Sequence, residues 1–341
     1  MQYLSFMLFL FISMACTSSS EVQRSKYYSQ EKEIFIDPNF EGTHKSLWDV
    51  LQWKTFSQAS PWPKWVEITP TSKIHSPSKP NQIHITFVNH STFLIQFEGI
   101  NILTDPIWSE RVSPVSWLGP KRVHRPGIRF EDLPPIDLVL ISHNHYDHFD
   151  SETLKKLADQ HDPAFLCPLG DGPRLKALGA KNIFELDWWE NLAFNALEVY
   201  FTPTQHWSRR GLFDRNKSFW GSYVLNFKGK QVYFAGDTGY SSYFKEIYQN
   251  YGKMDIALLP IGAYAPRWFM QDMHMDPEEA IWAHKDLKSK LSIGMHFGSF
   301  QLTDEPRKEP VQKLQKFLKS YQINNKDFKT IKPGESLKLD L

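Results

Sequence analysis

Residues 143–150 read His-Asn-His-Tyr-Asp-His-Phe-Asp, and no other stretch limits the chain as much. Three imidazoles and a carboxylate, His143, His145, Asp147 and His148, fall within six residues. Imidazole nitrogen and carboxylate oxygen are the atoms that Zn²⁺ and similar borderline cations bind. The stretch follows a short apolar run, Ile136–Ile141, that reads as a buried strand. A turn leaving the strand end can aim His143 and His145 at one ion and Asp147 and His148 at a second. Two such ions need further ligands, because a structural or catalytic shell takes about four.

Three more candidates recur at matching places. Leu197–Phe201 has a strand pattern and leads to His206. Gln231–Ala235 leads to Asp237, and Leu291–Met295 leads directly to His296. Each lies just past the C-terminal end of a strand, as His143 does. Strand ends brought to one edge of a sheet stack would make these loops converge. Singly each is weak: Asp-x-Gly is ordinary turn chemistry, and a lone histidine is more often a surface or core residue.

The 341 residues suffice for one large core or two small ones. With 39 basic and 38 acidic residues the charge is balanced, so nucleic acid is not an expected partner. The only cysteines, Cys16 and Cys167, leave no disulfide framework and no Cys-rich zinc module. Cys167 sits in an apolar run and reads as a small buried side chain. Residues 1–16 read as a lipoprotein-like signal. The apolar Leu4–Met14 spans 11 residues, short of the ~20 that cross a bilayer, and small residues lead to Cys16 as the acylation candidate. No Lys or Arg precedes Arg24. The expected location is therefore the bacterial envelope, exported and lipid-anchored on the periplasmic side, with the outer membrane as the site. Residues 17–33 read as a polar tether. Residues 34–80 carry Phe35, Phe40, Trp48, Trp53, Trp62 and Trp65 and read as an extension packed on the main domain, since disordered tracts are poor in aromatics. The main domain is expected over 81–341, with no internal repeat.

Within it, Ile83–Val88, Phe93–Phe97 and Ile100–Leu103 read as a meander with Gly99 at a hairpin turn. Asp150 or Ser151 can cap a helix running to about 159. Ala164–Cys167 and Asn182–Leu186 read as strands around a helix over 172–178. Asp255–Leu259 reads as a strand. Asp276, Pro277 and Glu279 fit N-cap, first helical position and capping box of a helix to about 285, which places His274 beside a helix N-terminus. A last helix is expected over 310–320.

Several tracts together resemble the metallo-β-lactamase superfamily, and within it the N-acylphosphatidylethanolamine-hydrolysing phospholipase D family. They are Leu103–Ile107, Gly119–Arg122, Leu133–His148, Glu185–Glu190, Gln205–Trp207, Phe234–Tyr240, Ile261–Phe269, His274 and Asp276–Ala280. Asn89 stands where that branch usually has glycine. The resemblance implies an α+β four-layer αβ/βα sandwich, two mixed sheets face to face with outer helices. It implies two Zn²⁺, or Fe or Mn, with His143, His145 and His206 on one ion, Asp147, His148 and His296 on the other, and Asp237 between them. It further implies zinc-dependent hydrolysis of N-acylphosphatidylethanolamine to N-acylethanolamine and phosphatidic acid by a hydroxide held between the metals. Asp147 and His274 are the expected catalytic groups, and Arg267, Tyr264, Lys121 and Arg122 the expected substrate-binding ones. Trp268, Phe269 and Met270 would line an acyl channel. The expected partners are a phospholipid substrate at a membrane surface and a second copy of the chain. The rival readings are a hydrolase of the same fold acting on a lactone, thioester or other phosphodiester, and a non-catalytic envelope lipoprotein.

Overall fold

The computed structural model describes residues 22–40, 45–71, 74 and 82–340. The leader-like residues 1–16 and the first part of the expected tether lie outside the described residues. Among the described residues, no helix is long and apolar enough to cross a membrane.

Two seven-stranded sheets form the centre. The first carries β3 (Gln82–Asn89), β4 (Thr92–Phe97), β5 (Ile100–Thr104), β6 (Leu138–Leu140), β7 (Ala164–Pro168), β8 (Asn182–Leu186) and β16 (Ser336–Asp340), in the order β16-β3-β4-β5-β6-β7-β8. The second carries β9 (Asn191–Phe194), β10 (Leu197–Thr202), β11 (Ser222–Phe227), β12 (Lys230–Phe234), β13 (Ile256–Pro260), β14 (Leu291–Met295) and β15 (Phe328–Lys329), in the order β15-β14-β13-β12-β11-β10-β9. Each sheet is mixed: an antiparallel meander continues into parallel strands. Parallel neighbours need crossovers, and helices supply most of them. These are α2 (Ser151–Gln160), α3 (Gly172–Ala177), α4 (Tyr243–Tyr251), α5 (Arg267–Met270), α6 (Pro277–Asp286) and α7 (Glu309–Ser320). A short strand pair, β1 (Tyr28–Ser29) with β2 (Ile34–Phe35), and α1 (Leu47–Phe56) precede the sandwich.

Alternation along the strands explains the layers. Ile95, Phe97, Ile102, Leu138 and Leu140 face the second sheet and join Val199, Phe201, Leu225 and Phe227 in one core. The Phe97 and Phe227 rings meet at 4.6 Å across it. Leu94, Leu103, Val139, Ile141, Phe165 and Cys167 face outward and are covered by Leu154, Leu157 and Leu175 of α2 and α3. Strands buried on both faces read as near-continuous apolar runs, which is why they were legible. The caps match the sequence: Asp150 accepts from Glu152 N–H, and Asp276 with Glu279 forms a capping box.

The N-terminal part is built onto this sandwich. Tyr27, inside the segment read as a tether, packs on Trp188 at 4.8 Å, and Phe35 stacks on Phe219 at 4.6 Å. That part of the segment is therefore core and not a free tether: one aromatic side chain buries enough apolar surface to hold it down. Trp53 Nε1 donates to Asp304 and Trp62 Nε1 to the Glu305 carbonyl, both at 2.9 Å. Tyr243 of α4 donates to Asp37, and a second Asp37 oxygen is buried without a partner. Burial pushes the Asp37 carboxyl up to about 6, although the Tyr243 hydroxyl opposes this. A raised folded pKa stabilises below the unfolded value near 3.8 and loses that contribution as pH rises through about 6. Denaturant titrations of Asp37→Asn and wild type should therefore diverge between pH 4 and 7, with the wild type losing roughly 2–3 kcal/mol more. Parallel curves would show that Asp37 carries no such proton.

Candidate metal centre

The strand ends do converge. β6 ends at Leu140 and delivers Ser142 to His148; β10, β12 and β14 deliver His206, Asp237 and His296 to the same edge. His143 Nε2 lies 2.9 Å from His145 Nδ1, and His206 Nε2 lies 3.2 Å from the same His145 atom. Ligands at 2.0–2.1 Å around a tetrahedral Zn²⁺ stand roughly 3.3 Å apart, so this spacing suits one ion. A second group is His148 Nε2, His296 Nε2 and Asp147 Oδ2: the two nitrogens are 3.2 Å apart, and the carboxylate oxygen is 3.5 and 3.3 Å from them. Asp237 faces both groups. Its Oδ2 is 3.1 Å from His148 Nε2 and 3.9 Å from the Nε2 atoms of His143 and His206, and its Oδ1 is 3.1 Å from His296 Nε2.

Hydrogen bonding among these groups does not account for the cluster. A neutral imidazole has one N–H. His206 spends its Nδ1–H on the Met273 carbonyl at 3.1 Å. Ser142 Oγ donates to Asp105 at 2.6 Å and so accepts from His143 Nδ1–H at 2.9 Å. Both inner Nε2 atoms therefore present lone pairs to one point. His145 Nε2 is buried without a hydrogen-bond partner. Outer-shell partners that fix the tautomer of an inward-pointing imidazole are the usual mark of metal-binding histidines.

The charges agree. Burial keeps His143 and His206 well below the ordinary histidine range and lowers His145 to about 4, so all three imidazoles are neutral, as metal binding requires. Burial also opposes protonation of His148 and His296, yet Asp237 and Asp147 push the first well above its usual range and the second up to about 9. Burial would raise Asp237, but His148 and His296 hold it well below the carboxylate range. A buried site with this many carboxylates demands positive charge, which two divalent cations satisfy better than two protons. The residues present fit such ions.

Two contributors escaped the sequence reading. His90 Nε2 lies 3.0 Å from Asp147 Oδ2, within the second group. Asp105 receives Ser142 N–H and Oγ–H and accepts from His148 Nδ1 at 2.6 Å. Both stand at strand ends, His90 after β3 and Asp105 after β5, so the placement rule that found His206 and His296 was able to find them. His90 adopts φ +48°, a left-handed turn that its backbone secures by giving N–H to Ser299 Oγ and accepting from His296 N–H. Replacing His90 by alanine should weaken the ion of the second group about 10–100-fold while sparing the first. Competition titration with a zinc chelator would separate the two steps; unchanged affinities for both would leave His90 no part in the centre.

The other expected residues are placed as follows. His274 lies beside α6 with Nδ1 buried, unpartnered and 3.8 Å from Asp237 Oδ2, and burial lowers it to about 4. Arg267 Nη2 donates to both Glu279 carboxylate oxygens at 2.8 and 2.9 Å, and its Nη1 donates to the His274 carbonyl. Tyr264 is buried with its hydroxyl on Glu309, Arg122 is buried and donates to the Trp108 carbonyl, and Lys121 pairs with Glu110 at the surface. Phe269 and Met270 pack on Trp53, while Trp268 stays partly exposed. The structure thus brings His274 to the cluster and engages Arg267, Tyr264 and Lys121 with protein partners, while Arg122 keeps its Nη1 buried without a hydrogen-bond partner.

A two-sheet sandwich with helices outside and His and Asp ligands gathered at one sheet edge defines a metal-dependent hydrolase of the metallo-β-lactamase fold. The family model described as a beta-lactamase superfamily domain matches residues 100–297. An uncharacterized protein of Mycobacterium tuberculosis is 40% identical over 239 residues, 69% of this chain and 63% of that protein, so the match spans under two thirds of its length. An N-acyl-phosphatidylethanolamine-hydrolyzing phospholipase D of Caenorhabditis elegans is 36% identical over 263 residues, 73% of this chain and 74% of that enzyme. Among solved structures, an isothiocyanate hydrolase from Delia radicum gut bacteria shares the fold with TM-score 0.62 and 21% identity, covering 75% of this chain and 99% of that one. The chain belongs to the metallo-β-lactamase superfamily and, inside it, to the branch that holds the nematode phospholipase D.

Proposed function

We propose that the chain is a phosphodiesterase of the phospholipase D type that hydrolyses N-acylphosphatidylethanolamine to N-acylethanolamine and phosphatidic acid. The observation that carries a hydrolytic function is the pair of ligand groups sharing Asp237. The likeness to the nematode enzyme supports the substrate. His143, His145, His206 and Asp237 would hold one ion, and Asp147, His148, His296 and Asp237 the other. Zinc suits these ligands, as do iron and manganese. Two such ions supply an acidified water and neutralise charge on the phosphoryl oxygens.

The bond formed joins the water oxygen to phosphorus, and the bond broken joins phosphorus to the ethanolamine oxygen, which leaves with a proton. Asp147, the least buried carboxylate of the centre, is assigned to proton transfer, with His90 holding its Oδ2. His274 is the imidazole left outside the two ligand groups, and its unpartnered Nδ1 is assigned to the phosphate or the leaving oxygen. The lipoprotein-like N-terminus supports an envelope membrane as the place of action.

Product analysis tests the reading. Zinc-loaded protein mixed with N-acylphosphatidylethanolamine vesicles should release N-acylethanolamine and phosphatidic acid, read by lipid mass spectrometry, and His145→Ala should release at least about 10³-fold less. A protein holding two metals that turns over lactones, thioesters or other phosphodiesters but not this lipid would keep the hydrolase and remove the substrate.

A further inference from the structure

Besides α1, which carries Trp48 and Phe56, the strongly exposed large apolar side chains lie on two loops beside the metal centre. Phe213 is 88% exposed, Leu212 77%, Trp117 73% and Leu118 59%. Pro114 of one loop and Leu212 of the other line the same open cleft of about 520 Å³, and His145 and Trp207 line it too. The two loops that carry these side chains therefore border one cleft with His145.

Both loops are built to present these tips. Arg209 turns back and donates from Nε to the Gly211 carbonyl at 2.8 Å and from Nη2 to the Leu212 carbonyl at 3.1 Å. Asp214 Oδ1 accepts from Gly211 N–H at 2.6 Å, and its other oxygen pairs with Arg174 at 2.9 Å. Arg111 donates to the Gly119 carbonyl and closes the other loop. A braced turn with Leu-Phe at its apex is not a core segment that failed to fold inward. Exposed apolar patches rimmed by polar residues mark interaction surfaces.

Charge indicates the partner. Residues 110–121 and 207–217 hold six basic side chains, Arg111, Lys121, Arg209, Arg210, Arg215 and Lys217, against Glu110 and Asp214, in a chain whose whole balance is +1. Arg215 lies over the Trp207 ring at 4.4 Å, beside the cleft. Tryptophan with long cationic side chains below apolar tips is the composition that seats at a bilayer interface, and the cations favour anionic headgroups.

We infer that residues 113–118 and 209–213 form a docking face for an anionic phospholipid bilayer, seating the cleft that His145 lines against the lipid headgroups, an inference that deepens the lipid reading proposed above. Phe213 and Trp117 enter the interface, and Arg215 and Lys217 meet the phosphates.

Hydrogen exchange on the full zinc-loaded chain tests this locally, whatever the N-terminus does. Peptides over 113–118 and 209–214 should exchange at least about 5-fold more slowly with phosphatidylglycerol-containing vesicles than without, and much less so with phosphatidylcholine alone. The double variant Trp117→Ser, Phe213→Ser should lose that protection and turn over vesicle-borne lipid about 10-fold more slowly, with hydrolysis of the soluble diester bis(p-nitrophenyl) phosphate unchanged. Protection confined to α1 or to the N-terminus, or retained in the double variant, would overturn the docking face, and equal protection on phosphatidylcholine would overturn the anionic preference. Loop protection by a protein that hydrolyses no N-acylphosphatidylethanolamine would keep the docking face and remove the substrate instead.

Discussion

Asp237→Asn should lower turnover at least 10³-fold, about 4 kcal/mol in the barrier, and lower the metal content of both ligand groups. Asp237 is buried and touches all parts of the centre, with Oδ2 3.1 Å from His148 Nε2 and Oδ1 3.1 Å from His296 Nε2. Asparagine keeps the shape but removes the negative charge that two cations would share, and it turns an amide N–H₂ toward imidazole nitrogens that need an acceptor or an ion. The charge is not replaced from elsewhere, since Asp147 serves one group and Asp105 is taken up by Ser142 and His148. Elemental analysis beside steady-state kinetics reads the result. Two retained metals with near-normal turnover would show that the shared carboxylate is dispensable. Two retained metals with lost turnover would confine its part to the chemistry.

Gly262→Ala should cost about 3 kcal/mol and detach His296 from the second ligand group. A Cβ at Gly262 would lie 2.2 Å from the His296 carbonyl oxygen and 3.2 Å from its carbonyl carbon. Those are backbone atoms, so no side chain can swing away. The His296 backbone is itself in the left-handed region at φ +59° and is pinned by its N–H to the His90 carbonyl at 2.8 Å. Relief of the clash must therefore move the residue that carries the ligand. Thermal melts should fall by about 4 °C, with a matching loss of one bound metal. Gly99→Ala is the contrast: its φ is +85° but nothing lies within 4 Å of the added carbon. That variant should lose only about 1 kcal/mol and keep both metals. Equal melting of Gly262→Ala and wild type would show that the β13–β14 edge can spread.

The site was legible wherever chemistry and periodicity coincide within a few residues. His143, His145, Asp147 and His148 share one turn, and β14 followed at once by His296 needs only local pattern to be seen. Helix α6 was readable because Asp276, Pro277 and Glu279 are capping chemistry in consecutive positions. His90 follows β3 as His296 follows β14, so the strand-end rule reaches it, but its pairing with Asp147, 57 residues away, is visible only in the structure. Strand β16 was passed over because Ser336–Asp340 is an edge strand, and its pairing partner β3 lies some 250 residues earlier. Helix α1 was passed over because its apolar residues follow no single face: Trp48 is 70% exposed while Trp53 is buried.

Residue chemistry and short-range spacing alone indicate the candidate ligand types, the strand ends that carry them, and the double burial of the central strands. Only the tertiary structure decided which strand ends share an edge, that Asp237 faces both groups, that Tyr27 is core, and that Trp117 and Phe213 stand out beside His145. Those outcomes follow from how two sheets stack and where their connecting loops fall. They depend on contacts between residues tens to hundreds of positions apart, which local composition and periodicity do not encode.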